Sequence, residues 1–108
     1  MSSFTLTEED KGKTITIHQG DQVVISLKEN PTTGYRWAVD KMDDALLVLS
    51  QDSYIQSPSG GLGGGGRRLL TFDAKGIGTA HLQFKGWRAW GGDKSIIERF
   101  DVMVLVQN

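Results

Sequence analysis

Apolar and polar residues alternate along most of this chain with the period of two that is typical of half-buried β-strands. The alternation is clearest over residues 13–17, 23–28 and 79–85. Because successive side chains of a strand point to opposite faces, each of these segments has one apolar face for a core and one more polar face. Shorter or less regular segments of the same kind are residues 4–7, 35–39, 67–74 and 97–106.

Residues 45–50, Ala-Leu-Leu-Val-Leu-Ser, form the one ambiguous apolar run. The leucines are compatible with a helix, whereas the short length of the run and the aspartates around it favour a short buried strand. We predict a strand here.

Turn residues separate the segments and suggest how they connect. Residues 76–78, Gly-Ile-Gly, lie between the segments 67–74 and 79–85, and the simplest interpretation of these three is a β-hairpin. Seven or eight short strands without a convincing helix predict an all-β fold, an immunoglobulin-like antiparallel β-sandwich of two layers. In such a sandwich, loops that are distant in sequence can lie side by side at one end.

Composition and charge exclude several classes of partner. A length of 108 residues predicts one domain, residues 1–108, which we expect to be monomeric on its own. The net charge is −1 and the basic residues are scattered, so we expect no nucleic acid and no membrane as partner. The chain has no cysteine, which excludes disulfides and thiolate chemistry.

The N-terminal ten residues are polar and acidic, and they lack the basic and apolar regions of an export signal. The sequence as it stands favours a cytoplasmic location, but a chain from which an export signal had been removed would have the same N-terminus, so the compartment stays open.

Catalytic and metal-binding patterns are weak. His18 and His81 are far apart in sequence, and no Gly-x-Ser-x-Gly nucleophile motif is present. Asp40, Asp43 and Asp44 lack the Asp-x-Asp-x-Asp-Gly spacing of a calcium loop. We expect neither an enzyme nor a metal or cofactor.

Three irregular loops are left as candidates for binding, and the first is residues 30–37, Asn-Pro-Thr-Thr-Gly-Tyr-Arg-Trp. Pro31 fixes its own φ and Gly34 can adopt a positive φ, which predicts a stiffened loop. Thr32 and Thr33 are expected at its tip. Taken alone, the segment is equally compatible with an ordinary tight turn.

The flanks of this first loop have separate expected roles. Asn30 is expected to brace the loop through side-chain to backbone hydrogen bonds. Two interpretations of Tyr35 are equally compatible with the sequence: it contacts the partner, or it is a strand residue that packs beneath the loop. Trp37 is expected to anchor the loop in the core.

The second loop is residues 57–66, which end in the four consecutive glycines Gly63, Gly64, Gly65 and Gly66. By composition alone a flexible linker is the favoured interpretation. A phosphate-binding loop is excluded because no Gly-Lys-Ser/Thr follows and a strand, not a helix, is predicted next.

The third loop, residues 86–93, contains Arg88, Ala89 and Trp90 between glycines. Arg and Trp are enriched among the residues that contribute most to protein interfaces. Of its two tryptophans, we expect one in the core and Trp90 exposed to solvent.

These three motifs resemble, in the same order, those of the chagasin family, the protein inhibitors of papain-like cysteine peptidases. Residues 30–35 match the family's Asn-Pro-Thr-Thr-Gly-Tyr/Phe motif, residues 63–66 its Gly-x-Gly-Gly motif and residues 88–90 its Arg-Pro-Trp/Phe motif. The third match departs at Ala89, where the family usually has proline. This substitution removes a fixed φ from the loop.

The resemblance implies reversible, tight-binding inhibition of a papain-like cysteine peptidase. The three loops would line one end of the sandwich and fill the active-site cleft. Thr32 and Thr33 would cover the catalytic Cys and His without offering a well-placed scissile bond. Pro31 and Gly34 would hold the shape of the tip, and the two other loops would grip the cleft walls.

A second class of function stays open on the residues alone, namely an immunoglobulin-like adhesion or carbohydrate-recognition module. Such a module could bind through a sheet face, which gives the glycine run no role. The inhibitor hypothesis instead requires the three loops to converge at one end.

Overall fold

The computed structural model describes residues 2–56 and 65–108, which form eight β-strands. Short 3₁₀ segments lie in the connections at Glu8–Asp10, Pro31–Thr33 and Ala89–Ser95. Within the described ranges, no helix is long and apolar enough to span a membrane. The strands are β1 (Ser3–Leu6), β2 (Thr14–His18), β3 (Gln22–Glu29), β4 (Arg36–Lys41), β5 (Leu47–Gln56), β6 (Gly66–Ala74), β7 (Gly78–Trp87) and β8 (Glu98–Gln107).

The strands form two four-stranded sheets, with the order β1-β3-β6-β5 in the first sheet and β2-β8-β7-β4 in the second. This confirms the predicted β-sandwich. Two edge pairs, β1 with β3 and β2 with β8, are parallel instead of antiparallel. β1 and β3 run in the same direction because β2, which lies between them in the chain, belongs to the opposite sheet.

The predicted hairpin over residues 67–85 is wrong. β6 pairs with β3 and β5, whereas β7 pairs with β4 and β8, so the chain crosses between the sheets at residues 75–77. The Leu46 carbonyl accepts hydrogen bonds from the amides of Lys75 and Gly76 at 2.8 and 3.1 Å, which fixes the crossing. Alternation identifies the inward face of each strand but not its sheet, because both sheets bury an apolar face.

The ambiguous run at residues 45–50 is a strand only in part. β5 begins at Leu47, and the residues before it form a turn in which the Asp43 carbonyl accepts the amides of Leu46 and Leu47 at 3.1 and 3.0 Å. A register shift in the pairing with β6 lies between Leu49 and Gln51, and it interrupts the alternation of β5.

One core fills the space between the sheets. Phe84 lies near its centre, with ring centroids 5.8 Å from Phe72 and 5.9 Å from Phe100. Trp37 is half-buried and packs against this core from the loop end, as an anchor at its margin. The two sheets therefore hold the stems of the connecting loops rigidly.

Asp21 fastens β1 at the opposite end of the sandwich. Its carboxylate accepts hydrogen bonds from the backbone amides of His18 at 2.8 Å and Ser2 at 2.9 Å. These two bonds, that from His18 foremost, hold the pKa of Asp21 below its ordinary value.

We therefore expect Asp21 to stabilise the fold only while it is ionised. Because its folded pKa is lowered, the stabilisation is complete above the unfolded pKa of about 3.9 and is lost as the pH falls through the folded pKa. Asp21→Asn should lower the melting temperature at pH 7. The difference in melting temperature between the variant and the parent chain should shrink as the pH falls below about 4. A difference in melting temperature that does not change with pH would contradict this role of the charge. Thermal melts at several pH values make the measurement.

Candidate functional site

The first loop connects β3 to β4 and passes from the first sheet to the second. Asn30 braces it, as predicted: its side-chain Oδ1 accepts the Thr32 amide at 3.1 Å and the Thr32 hydroxyl at 2.7 Å. The Asn30 carbonyl accepts the amide and the hydroxyl of Thr33, at 3.2 and 2.8 Å. These four bonds form one turn of 3₁₀ helix over Pro31–Thr33.

Thr32 and Thr33 are exposed, as expected for a tip. Both hydroxyls nevertheless donate their hydrogens inward to Asn30. The Thr33 hydroxyl oxygen also accepts the Tyr35 amide at 3.3 Å, so the hydrogen bonds within the loop hold the shape of the tip in the free chain. A preformed tip loses less conformational entropy on binding.

Gly34 brings the first loop against the third. Its φ of +81° is the predicted positive value. A Cβ placed on Gly34 would lie 2.9 Å from Cη2 of Trp90 and 3.5 Å from Nε of Arg88. The indole of Trp90 therefore rests on the bare backbone of Gly34, and both the φ and the close approach require glycine here.

Arg88 joins the same two loops by hydrogen bonds. Its Nε and Nη2 donate to the Thr33 carbonyl at 3.3 and 3.0 Å. Its guanidinium carbon lies 4.3 Å from the ring centroid of Tyr35 and 5.9 Å from that of Trp90. Arg88 is half-buried, and these hydrogen bonds and ring contacts join the third loop to the first.

Tyr35 precedes the first residue of β4 and is half-buried against Arg88. Tyr35 is therefore not the strand residue that one of the two interpretations predicted, and its contact with a partner stays a prediction. Sequence reasoning had no signal for the contact between Tyr35 and Arg88, because the two residues are more than 50 positions apart.

Ser95 closes the third loop and was not anticipated from the sequence. Its Oγ accepts the Arg88 amide at 3.0 Å and lies 2.8 and 2.7 Å from the carbonyl oxygens of Arg88 and Gly92, which share its hydrogen. The amide of Gly91 also donates to the Arg88 carbonyl at 2.9 Å. These bonds close the third loop around the exposed Ala89, which has no ring to fix its own φ.

The two tryptophans of the third loop differ in exposure. Trp90 is 77% exposed, which confirms the expectation that it faces solvent. Trp87 is not a core residue, contrary to the expectation for the second tryptophan. It is half-buried on the outer face of β7, where the Lys85 ammonium lies 3.5 Å from its ring centroid.

The second loop is described only from Gly65 onward, so Gly63 and Gly64 lie outside the described residues. A Cβ on Gly65 would lie 3.1 Å from the Glu29 carbonyl oxygen and 3.5 Å from the Asn30 Cβ, which places Gly65 beside the first loop. Gly66 was expected in the second loop, but it lies in a strand. It is buried as the first residue of β6, where a Cβ would collide with the Ile55 carbonyl.

The described parts of the three loops therefore meet at one end of the sandwich. Contacts of Arg88 and Trp90 join the third loop to the first, and Gly65 lies against Asn30. The inhibitor hypothesis requires this convergence, whereas a module that binds through a sheet face does not. Within the described ranges, no three His, Asp or Glu side chains come together as metal ligands would.

Comparison with known proteins identifies the family of this chain. The family model described as Chagasin family peptidase inhibitor I42 matches residues 16–104. The chain is 30% identical to chagasin of Trypanosoma cruzi over 104 residues, which cover 93% of this chain and 94% of chagasin. It is 29% identical to amoebiasin-2 of Entamoeba histolytica over 104 residues, which cover 94% of this chain and 84% of the relative.

The crystal structure of the cysteine protease inhibitor EhICP2 from Entamoeba histolytica matches with a TM-score of 0.88 at 27% identity. The match covers 98% of this chain and 96% of the other. With a family match over most of its length and relatives aligned nearly end to end, the chain belongs to the chagasin family of peptidase inhibitors.

Proposed function

We propose that this chain is a reversible, tight-binding inhibitor of papain-like cysteine peptidases, and that its three-loop end occludes the active-site cleft. One observation carries the proposal: Arg88 and Trp90 dock the third loop onto Thr33 and Gly34 within the free chain. The resulting narrow end is a preformed unit of the kind that fits a cleft. The similarity to a cysteine protease inhibitor supports the choice of peptidase class.

The tip occupies the cleft without being cleaved. Thr32 and Thr33 enter over the catalytic Cys and His. The Thr33 carbonyl oxygen already accepts two hydrogen bonds from Arg88, at 3.3 and 3.0 Å. A peptidase must polarise a scissile carbonyl through its own oxyanion hole, and this oxygen is turned toward the third loop instead. The peptide bond after Thr33 is therefore a poor substrate.

The flanking loops supply the grip on the cleft walls. Trp90 is exposed in the free chain, and a Trp buries up to about 250 Å² when it is covered. Ala89 lies beside it at the surface. Gly65, which lies beside Asn30, has no side chain and lets backbone approach the partner closely. Both sheets share one core, which supports treating residues 1–108 as one inhibitor domain.

The two threonines should contribute to inhibition through both shape and contact. Thr32→Ala and Thr33→Ala remove a methyl contact and a bond to Asn30, so we expect each to weaken inhibition about 5-fold, near 1 kcal/mol. Thr32→Val keeps the shape and removes only the hydroxyl, which separates the two contributions. The matched control is Thr16→Ala, an exposed threonine on β2. Inhibition constants and melting temperatures measure the effects, and a large loss of stability in the tip variants would show that they are structural residues.

Inhibition itself is tested by titrating papain with the purified chain and following the hydrolysis of a small peptide substrate. We expect stoichiometric loss of activity that returns on dilution, and no effect on a chymotrypsin-type serine peptidase. Unchanged papain activity at micromolar excess of the chain would refute the proposed function.

A further inference from the structure

A buried ion pair lies at the base of the first loop, outside all three motifs. Glu29, the last residue of β3, points its carboxylate between the sheets, and only 2% of its side chain is exposed. Arg68 of β6 meets it with two parallel hydrogen bonds, Nε to Oε2 at 2.9 Å and Nη2 to Oε1 at 2.8 Å. Only 15% of the Arg68 side chain is exposed.

The same carboxylate also forms a hydrogen bond to the opposite sheet. Oε2 of Glu29 also accepts the backbone amide of Trp37, the second residue of β4, at 3.1 Å. The indole Nε1 of Trp37 donates in turn to the Lys28 carbonyl at 2.8 Å. The two stems of the first loop, the end of β3 and the start of β4, are thus joined by a side chain from each.

Arg68 extends the connection to the edge of the first sheet. Its Nη1 donates to Oδ1 of Asp52 on β5 at 2.9 Å, and its guanidinium carbon lies 5.9 Å from the ring centroid of Tyr54. The hydrogen bonds to Glu29, and after them the one to Asp52, raise the pKa of Arg68, so the guanidinium stays charged. Four strands from both sheets therefore meet at one guanidinium–carboxylate unit.

We propose that Glu29 and Arg68 are positioning residues of the inhibitory site, which set the separation of the two stems of the first loop from inside the sandwich. Buried as they are, they act through Trp37 and Asn30, not by contact with the peptidase. The inference rests on the proposed function and adds two residues that no motif contains.

A buried ion pair is a poor device for stability alone, because desolvation of the two charges offsets most of their attraction. An apolar pair of similar volume fills the same space at similar stability. It cannot, however, accept the amide of Trp37. Positioning and stability are therefore separable by a double substitution.

The test compares Glu29→Leu, Arg68→Met and the double variant Glu29→Leu/Arg68→Met. We expect Glu29→Leu alone to lower the melting temperature by roughly 10 °C, because it removes the buried partner of Arg68 and leaves the guanidinium only its single hydrogen bond to the more exposed Asp52. The double variant should recover most of this loss and still inhibit papain about 10-fold less well than the parent chain. Inhibition that recovers together with stability would overturn the positioning role.

Two further measurements keep the test decisive. Val104→Ala, a core substitution distant from the loops, should lower the melting temperature without weakening inhibition. Hydrogen exchange of the Trp37 and Thr33 amides in the free chain should be faster in the double variant, a result that does not depend on any peptidase. Unchanged exchange would refute the inference even if the parent chain inhibits papain, whereas a parent chain without inhibition would refute only the proposed function.

If the double variant does not fold, Glu29→Gln takes its place. The glutamine keeps an acceptor for Trp37 and loses the charge, so we expect less than a 3-fold loss of inhibition and protected amides. A loss equal to that of Glu29→Leu would count against positioning through the Trp37 amide.

Discussion

Trp90→Ala is expected to weaken inhibition of a papain-like peptidase by about 30-fold or more, since Trp is enriched among the interface residues whose truncation removes ~2 kcal/mol or more of binding free energy. The melting temperature of the free chain should change by no more than about 2 °C. Trp90 is 77% exposed, and its ring lies against the backbone of Gly34. Inhibition constants and thermal melts of the two chains measure the two effects.

Ile77→Ala is the matched control for this substitution. Ile77 is 54% exposed in the crossing between β6 and β7, at the end of the sandwich opposite the loops. It should leave both inhibition and melting unchanged. A similar loss of inhibition from both variants would mean that surface hydrophobicity in general drives binding, and a large drop in the melting temperature of Trp90→Ala would mean that Trp90 is a structural residue.

Gly34→Ala is expected to weaken inhibition about 20-fold, through a loss of nearly 2 kcal/mol. The substitution has two separate effects. It places a side chain at a φ of +81°, which costs an L-residue about 1 kcal/mol. It also brings a methyl group to 2.9 Å from the Trp90 ring, so the indole must move off the first loop.

Gly12→Ala isolates the second effect. Gly12 has nearly the same φ, +79°, and a Cβ there would have nothing within 4 Å. Both alanine variants should lose a similar amount of stability, about 1 kcal/mol. Only Gly34→Ala should lose inhibition. Equal inhibition constants for the two variants would contradict the docking of Trp90 on Gly34 as the basis of the site.

The strands were predictable from the sequence because period-two alternation is a local property of each segment. The alternation in β3, β7 and β8 identified the inward faces of these strands correctly. The assignment of strands to sheets was not predictable in this way. The sequence predicted a hairpin of β6 and β7, but the two strands belong to different sheets. The prediction was wrong because an inward apolar face is compatible with either sheet.

The first loop was predictable in its local features and not in its long-range contacts. The positive φ of Gly34 and the bracing by Asn30 follow from residue chemistry over a few positions. The bonds of Arg88 to Thr33 join residues 55 positions apart, and no local pattern indicates them. The closure of the third loop by Ser95 likewise has no sequence signature.

The Glu29–Arg68 pair did leave a signal in the sequence. Alternation from Val23 through Leu27 places Glu29 on the inward face of β3, and alternation back from Phe72 places Arg68 on the inward face of β6. A charged side chain on the core face of a strand requires a partner. Two such side chains of opposite charge on neighbouring strands are therefore predicted to form an ion pair. Their cross-strand proximity then follows from the register.

The central claim is that the three-loop end enters the active-site cleft, and calorimetric titration of two forms of papain with this chain tests it most directly. One form has a free active site, and in the other the catalytic cysteine carries a covalent peptide-like inhibitor that fills the cleft. We predict tight one-to-one binding to the free form and no detectable binding to the filled form. Equal affinity for the two forms would contradict the claim, since it would place the contact outside the cleft.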